Sequence, residues 1–188
     1  MSQGYVPGPL RIFVGTGTSA AYEFLGYTQD GVQLQLLAAY EDIMSDFGGP
    51  AIPVDSQFMG EHGYISATLN KYNESVLQKL AARRQGVGGS VVAGRIESNG
   101  LGSLMVAEAY AVKILLLCPY AAKTFQSSSI VPCYEFSAGW LHDDFTVPLS
   151  VRLKAPRIIL RVVPVWNAAT LSATLYTNVL PDPVPSSD

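Results

Sequence analysis

The sequence predicts a mainly β protein of the α+β kind: an antiparallel β-sandwich or open β-barrel flanked by one α-helix, with an extended loop and extended terminal arms. Two observations give the strands and one gives the helix. Val32-Gln33-Leu34-Gln35-Leu36 and Tyr64-Ile65-Ser66-Ala67-Thr68-Leu69 alternate apolar and polar residues, the period of a strand with one buried face. Between Asn70 and Arg84 the apolar residues Tyr72, Val76, Leu77 and Leu80 recur instead at helical spacing.

At 188 residues the chain is read as one domain, 1–188, with an N-terminal arm over 1–10 and an extended tail over 179–188. The net charge of -3 argues against affinity for nucleic acid driven by phosphate charge, and no sequence-specific nucleic-acid binding is expected. Charged residues make up 14% of the chain, against about 25% in an ordinary soluble domain. A chain so poor in charge has difficulty covering its own surface as a monomer, and the expectation is a homo-oligomer. A surface that is polar without charge is the alternative. The most apolar run, Ile114-Leu115-Leu116-Leu117-Cys118, is far short of the roughly 20 residues of a membrane helix. Met1 to Pro7 lacks the basic and apolar regions of a signal peptide, so neither membrane nor export is expected. Cys118 and Cys133 read as free thiols, with a disulfide as the alternative and too few cysteines for a four-cysteine zinc site.

In chain order, Gly4, Pro7, Gly8 and Pro9 make the start an extended arm. Arg11 to Val14 is a short strand, and Ala21 to Tyr27 resumes extended structure. Gly26-Tyr27-Thr28-Gln29-Asp30-Gly31-Val32 reads as a strand end, a turn and a new strand, which continues through Tyr40 towards Ile43. Phe47 to Met59 contains Gly48, Gly49, Pro50 and Pro53 and is excluded as a central strand. Yet Phe47, Ile52, Val54, Phe58 and Met59 are too apolar for a solvated loop. An extended loop or hairpin lying on a neighbouring subunit reconciles these facts; a loop folded onto its own core is the alternative. Asn70 or Asn73 caps the helix, Glu74 and Lys79, Arg83 and Arg84 suit its dipole, and Gly86-Val87-Gly88-Gly89 ends it. Further strands are expected over Ser90–Ile96, Leu104–Leu117, Cys133–Phe136, Phe145–Arg152, Pro156–Val165 and Thr170–Asn178, with a turn at Asn99–Gly102.

Chemistry has little to build on. His62, between Gly60-Glu61 and Gly63, reads as a turn. His142-Asp143-Asp144 is a metal-binding candidate only if the chain turns sharply, because successive residues of an extended chain face opposite ways. A solvated turn after Trp140 is the preferred reading. Gly-x-Ser-x-Gly is absent, and Gly15-Thr16-Gly17 lacks the remainder of a phosphate loop. Cys133 has no nearby histidine or basic residue to activate it. No catalytic, cofactor-binding or metal-binding residue is assigned, no cofactor is expected, and the expectation is a protein that is not an enzyme.

The order of Gly26-Tyr27-Thr28-x-x-Gly31-Val32, a long apolar loop, Gly60 before a strand and one helix around Asn73 to Leu80 resembles the tail tube proteins of tailed bacteriophages. The resemblance spans residues 20–165 as an arrangement, and its motifs are short. It implies hexameric rings that stack into a tube within the virion, contact other virion proteins and enclose a lumen through which DNA passes. By that resemblance Phe47 to Met59 takes the ring-stacking role, and Val32 to Ile43 with Tyr64 to Leu69 lines the inner sheet. Two other readings stay open. A head decoration or cement protein needs no acidic inner wall, and Val32 to Ile43 offers only Glu41 and Asp42. A small-molecule-binding β-barrel would be a monomer with a cavity.

Overall fold

The structure is a computed structural model that describes residues 9–16, 21–44, 53–84, 111–118, 133–142, 155–181 and 185. Its elements are β1 (Arg11–Thr16), β2 (Tyr22–Met44), β3 (Pro53–Tyr72), α1 (Glu74–Arg84), β4 (Val112–Leu117), β5 (Cys133–Leu141), β6 (Arg157–Val163), β7 (Val165–Asn167), β8 (Ser172–Thr174) and β9 (Tyr176–Thr177). The expected strands over Ser90–Ile96 and Phe145–Arg152, residues 104–110, the turn at Asn99–Gly102, the helix stop at Gly86–Gly89 and the pair Asp143 and Asp144 lie outside the described residues.

Hydrogen bonding runs in the order β4-β1-β2-β3-β6-β5, every pair antiparallel, and β5 pairs back onto β4. Six strands therefore close on themselves as a barrel, which leaves no open edge around the ring. The second edge of β5 is shared: Ala138–Leu141 pairs with β6, and Glu135–Phe136 with β9. β7 and β8 form a separate hairpin.

Strand alternation fills the barrel. On β3, Ile65, Ala67 and Leu69 are buried while Tyr64, Ser66 and Thr68 face outward; on β6, Ile158, Leu160 and Val162 are buried while Arg157, Ile159 and Arg161 face outward. Ile12, Val14, Leu25, Val112, Ile114, Leu116, Phe136 and Leu141 complete the interior, each large side chain contributing about 1.5–3 kcal/mol by burial. The run Leu115-Leu116-Leu117 is apolar without alternation because β4 is covered on both sides. Leu115 and Leu117 join Phe13 and Cys133 in a second cluster outside the barrel, packed by Tyr22, Phe24 and Leu180.

The helix α1 lies across one end of this barrel. Val76, Leu77 and Leu80 belong to the interior cluster, and α1 touches both β2 and β5, which stand opposite each other in the six-strand ring. Asn73 is the cap: its Oδ1 accepts from Ser75 N–H at 3.1 Å, and its own N–H donates to Leu25 O at 2.8 Å. Lys79 Nζ reaches Glu23 at 2.7 Å and ties the helix to β2.

Several boundaries differ from the sequence expectation. Tyr72 is not on the helix; it ends β3, opposite Gly26, and is exposed. Residues 26–32 are not a turn between two strands. β2 runs through them with Gln29, Asp30 and Gly31 bulged out against β3, and Gly31 supplies the φ of 92°. His62 is not in a turn: it lies within β3, opposite Leu37. Residues 53–59, expected within a loop, form the first part of β3, where Pro53 as first residue and a strand with a single neighbour satisfy the limits on proline. Of the N-terminal arm, Leu10 is held by exchanging bonds with Thr28: Leu10 N–H donates to Thr28 Oγ1 and Thr28 N–H to Leu10 O.

Candidate functional site

The ladder between β2 and β3 outlasts the barrel. β3 pairs with β6 only over Gly63–Thr68, and β2 pairs with β1 only over Tyr22–Tyr27. From Leu36 to Met44 on β2 and from Pro53 to His62 on β3, each strand has only the other as its neighbour among the described residues. The result is a two-stranded arm of roughly 30 Å, at about 3.3 Å per residue. A bulge at Met59 bends it: Ala39 stands opposite Gly60 and Tyr40 opposite Phe58, and Gly60 takes a φ of 135° that other residues rarely adopt.

The arm is apolar on both faces. Along β2, Leu36, Tyr40 and Met44 fall on one face and Leu37 and Ile43 on the other. Tyr40 and Phe58 meet edge to face, with ring centroids 5.6 Å apart. Their contact leaves both exposed, Tyr40 at 65% and Phe58 at 54%, and Met59 stands at 57%. Polar contacts are local to the arm, Ser56 Oγ donating to Asp42 and Ser56 N–H to Asp55 Oδ1. An isolated two-stranded hairpin is marginal in water, and this one adds exposed aromatic and aliphatic surface to that weakness.

Among the five residues singled out by sequence, Phe58 and Met59 lie on the arm near its bulge. Val54 is on β3 near the start of the arm, and Phe47 and Ile52 lie outside the described residues. Sequence reasoning missed Leu36, Leu37, Tyr40, Ile43 and Met44. The signal was present: Leu36-Leu37-Ala38-Ala39-Tyr40 breaks the alternation that precedes it, which a strand with one buried face has no reason to do. A smaller exposed apolar feature is the β7–β8 hairpin, with Trp166 at 62% and Leu171 at 75%, the latter at a φ of 49°.

The thiols and histidines take other positions. Cys118 and Cys133 are both free and buried. Burial, followed by the neighbouring Cys118 and Glu135, pushes the Cys133 thiol up to about 11, and its Sγ–H donates to Val179 O at 3.3 Å. Burial likewise raises Cys118. Both stay protonated at neutral pH, the unreactive form. His62, Tyr64 and His142 form an edge-to-face series outside the barrel, at 5.5 and 5.2 Å between centroids. Among the described residues no three histidine, cysteine or carboxylate side chains gather as a metal site, and no helix is long and apolar enough to cross a membrane.

No protein-family model and no curated protein sequence matches the chain.

Proposed function

We propose that this chain is a structural subunit, without catalytic activity, that assembles with copies of itself, and that its specific role is that of a tail tube subunit in a tailed-phage virion. The observation that carries the reading is the β2–β3 arm, which leaves a closed barrel and exposes Leu36, Tyr40, Phe58 and Met59 beyond it. Large exposed apolar surface on a protruding element is the mark of an interaction site, and the 14% charge content points the same way. The partner in this reading is a second copy, and rings stacked through their arms follow from the sequence resemblance. A barrel whose interior is filled by aliphatic side chains and Phe136 gives no support to a ligand held inside it.

The test is the mass of the full chain by analytical ultracentrifugation from low to high micromolar concentration, followed by negative-stain imaging. Rings or tubes are the expected result. A strictly monomeric species at high concentration in physiological salt overturns the assembly reading. Closed oligomers that never stack keep assembly and overturn the tube.

A further inference from the structure

Outside the barrel wall, β2, β3 and β6 present a polar depression of about 270 Å³ lined by Gln33, Gln35, Tyr64, Ser66, Ile159, Arg157 and His142. The strand register builds it. Gln33 stands opposite Ser66 and Gln35 opposite Tyr64, Ser66 is opposite Ile159 on the other side, and all face outward. His142 follows β5 and is anchored there by its N–H donating to Ile159 O at 2.7 Å. Among the described residues that line it, six of seven side chains can donate a hydrogen bond and none is a carboxylate.

Arg157 is the decisive member. It makes one long hydrogen bond, Nη2 to Ser66 Oγ at 3.5 Å, and no ion pair among the described residues. It stands between two depressions. The second is lined by Asp30, Gly31, Val32, Gln33, Ser66, Ala67, Thr68 and Arg157. Asp30 disfavours an anion on that side. The side towards His142 has the guanidinium, two amides and two hydroxyls.

We propose that the depression between Arg157 and His142 binds the oxyanion of a small molecule, a phosphate or a carboxylate. A guanidinium matches both groups with paired donors. Gln33, Gln35 and Ser66 satisfy the remaining oxygen lone pairs, and Tyr64 and Ile159 form an apolar wall for the body of the molecule. The volume approaches the small end of ligand sites. This inference concerns the outer barrel wall and is independent of the assembly reading.

Isothermal titration of the full chain with inorganic phosphate and with succinate is the test, beside Arg157→Ala on β6 and, as a control that removes one positive charge away from the depression, Lys71→Ala on β3. Arg157 and Lys71 are both exposed, so circular dichroism should show both variants folded. Saturable binding of at least one probe, weakened about tenfold or more by Arg157→Ala and unchanged by Lys71→Ala, is expected. Binding of phosphate without succinate assigns a phosphorylated ligand, and binding of both assigns the oxyanion in general. No binding of either probe at 10 mM, on the order of the weakest affinities worth assigning, overturns the proposal. So does equal binding by Arg157→Ala. A third titration, with a short single-stranded oligonucleotide, separates nucleic acid: binding there with none to the small probes also overturns it.

Discussion

At Gly26 the barrel wall leaves no space for a side chain. A Cβ there would stand 2.5 Å from Lys71 O, a backbone atom, and 3.1 Å from Tyr72 Cα. At Gly139 a Cβ would meet the end of the Ile114 side chain at 2.3 Å, and the nearest backbone atom, Arg161 O, only at 3.1 Å. Gly26→Ala should therefore cost the more of the two, on the order of 1–3 kcal/mol by overpacking, read as a lower urea midpoint at unchanged slope. Cys133 gives a pH dependence with a definite sign. Its thiol holds a proton more tightly folded, at about 11, than unfolded, near the ordinary thiol value of 9.0. The native state then binds more protons than the unfolded state between those values, and stability falls as pH rises through them. Tyr22, raised by burial and then by its hydrogen bond with Glu135, adds to the same trend. The loss of urea stability from pH 8 to pH 10.5 should be smaller in Cys133→Ala than in the parent chain. An identical loss in both would mean the Cys133 thiol is not perturbed.

The helix shows at the scale of an element how far sequence spacing reaches. Val76, Leu77 and Leu80 were legible as a stripe and do enter the barrel interior. Leu80→Ala should cost about 2–5 kcal/mol in equilibrium unfolding, and Asn73→Ala about 1 kcal/mol through loss of the cap. Tyr72→Ala should cost far less than Leu80→Ala, since its side chain is exposed. Tyr72 misled because it stands four residues before Val76, which is helical spacing, while the local sequence carries no trace of Gly26 across the sheet. The bulge at Gln29-Asp30-Gly31 misled for a related reason: the residues that suit a turn also suit a bulge, and only the partner strand decides. Gly60 and Gly63 around His62 followed the same logic. Gly60 serves the arm's bulge, and a Cβ at Gly63 would stand 3.1 Å from Val162 Cγ2. Neither glycine makes a turn.

For the molecule as a whole, strand content and the β-rich class were legible, while closure of the barrel was not. Closure depends on β1 pairing with β4 and β4 with β5, and pairings between distant segments leave no mark on local periodicity. The arm was half legible. Its β3 side was marked by apolar residues among prolines and glycines; its β2 side looked like the continuation of a strand with one buried face. The edge-to-face pair Tyr40 and Phe58 now separates folding from assembly. Within the subunit such a pair is worth about 0.5–1.5 kcal/mol, and both rings are largely in solvent, so Tyr40→Ser with Phe58→Ser should move the thermal midpoint only slightly. At an interface between copies, buried aromatic anchors are worth about 2 kcal/mol or more each, so losing both should raise the concentration needed for assembly by about several hundredfold, on the scale of about 1.4 kcal/mol per tenfold. Trp166→Ser, on the separate β7–β8 hairpin, removes an exposed aromatic of similar size and should leave assembly unchanged. Sedimentation across a concentration series reads all three proteins. Should Trp166→Ser disrupt assembly as much as the arm variant does, the effect would belong to general surface hydrophobicity. Should the arm variant assemble like the parent chain, the arm has some other use and the tube reading loses its structural support.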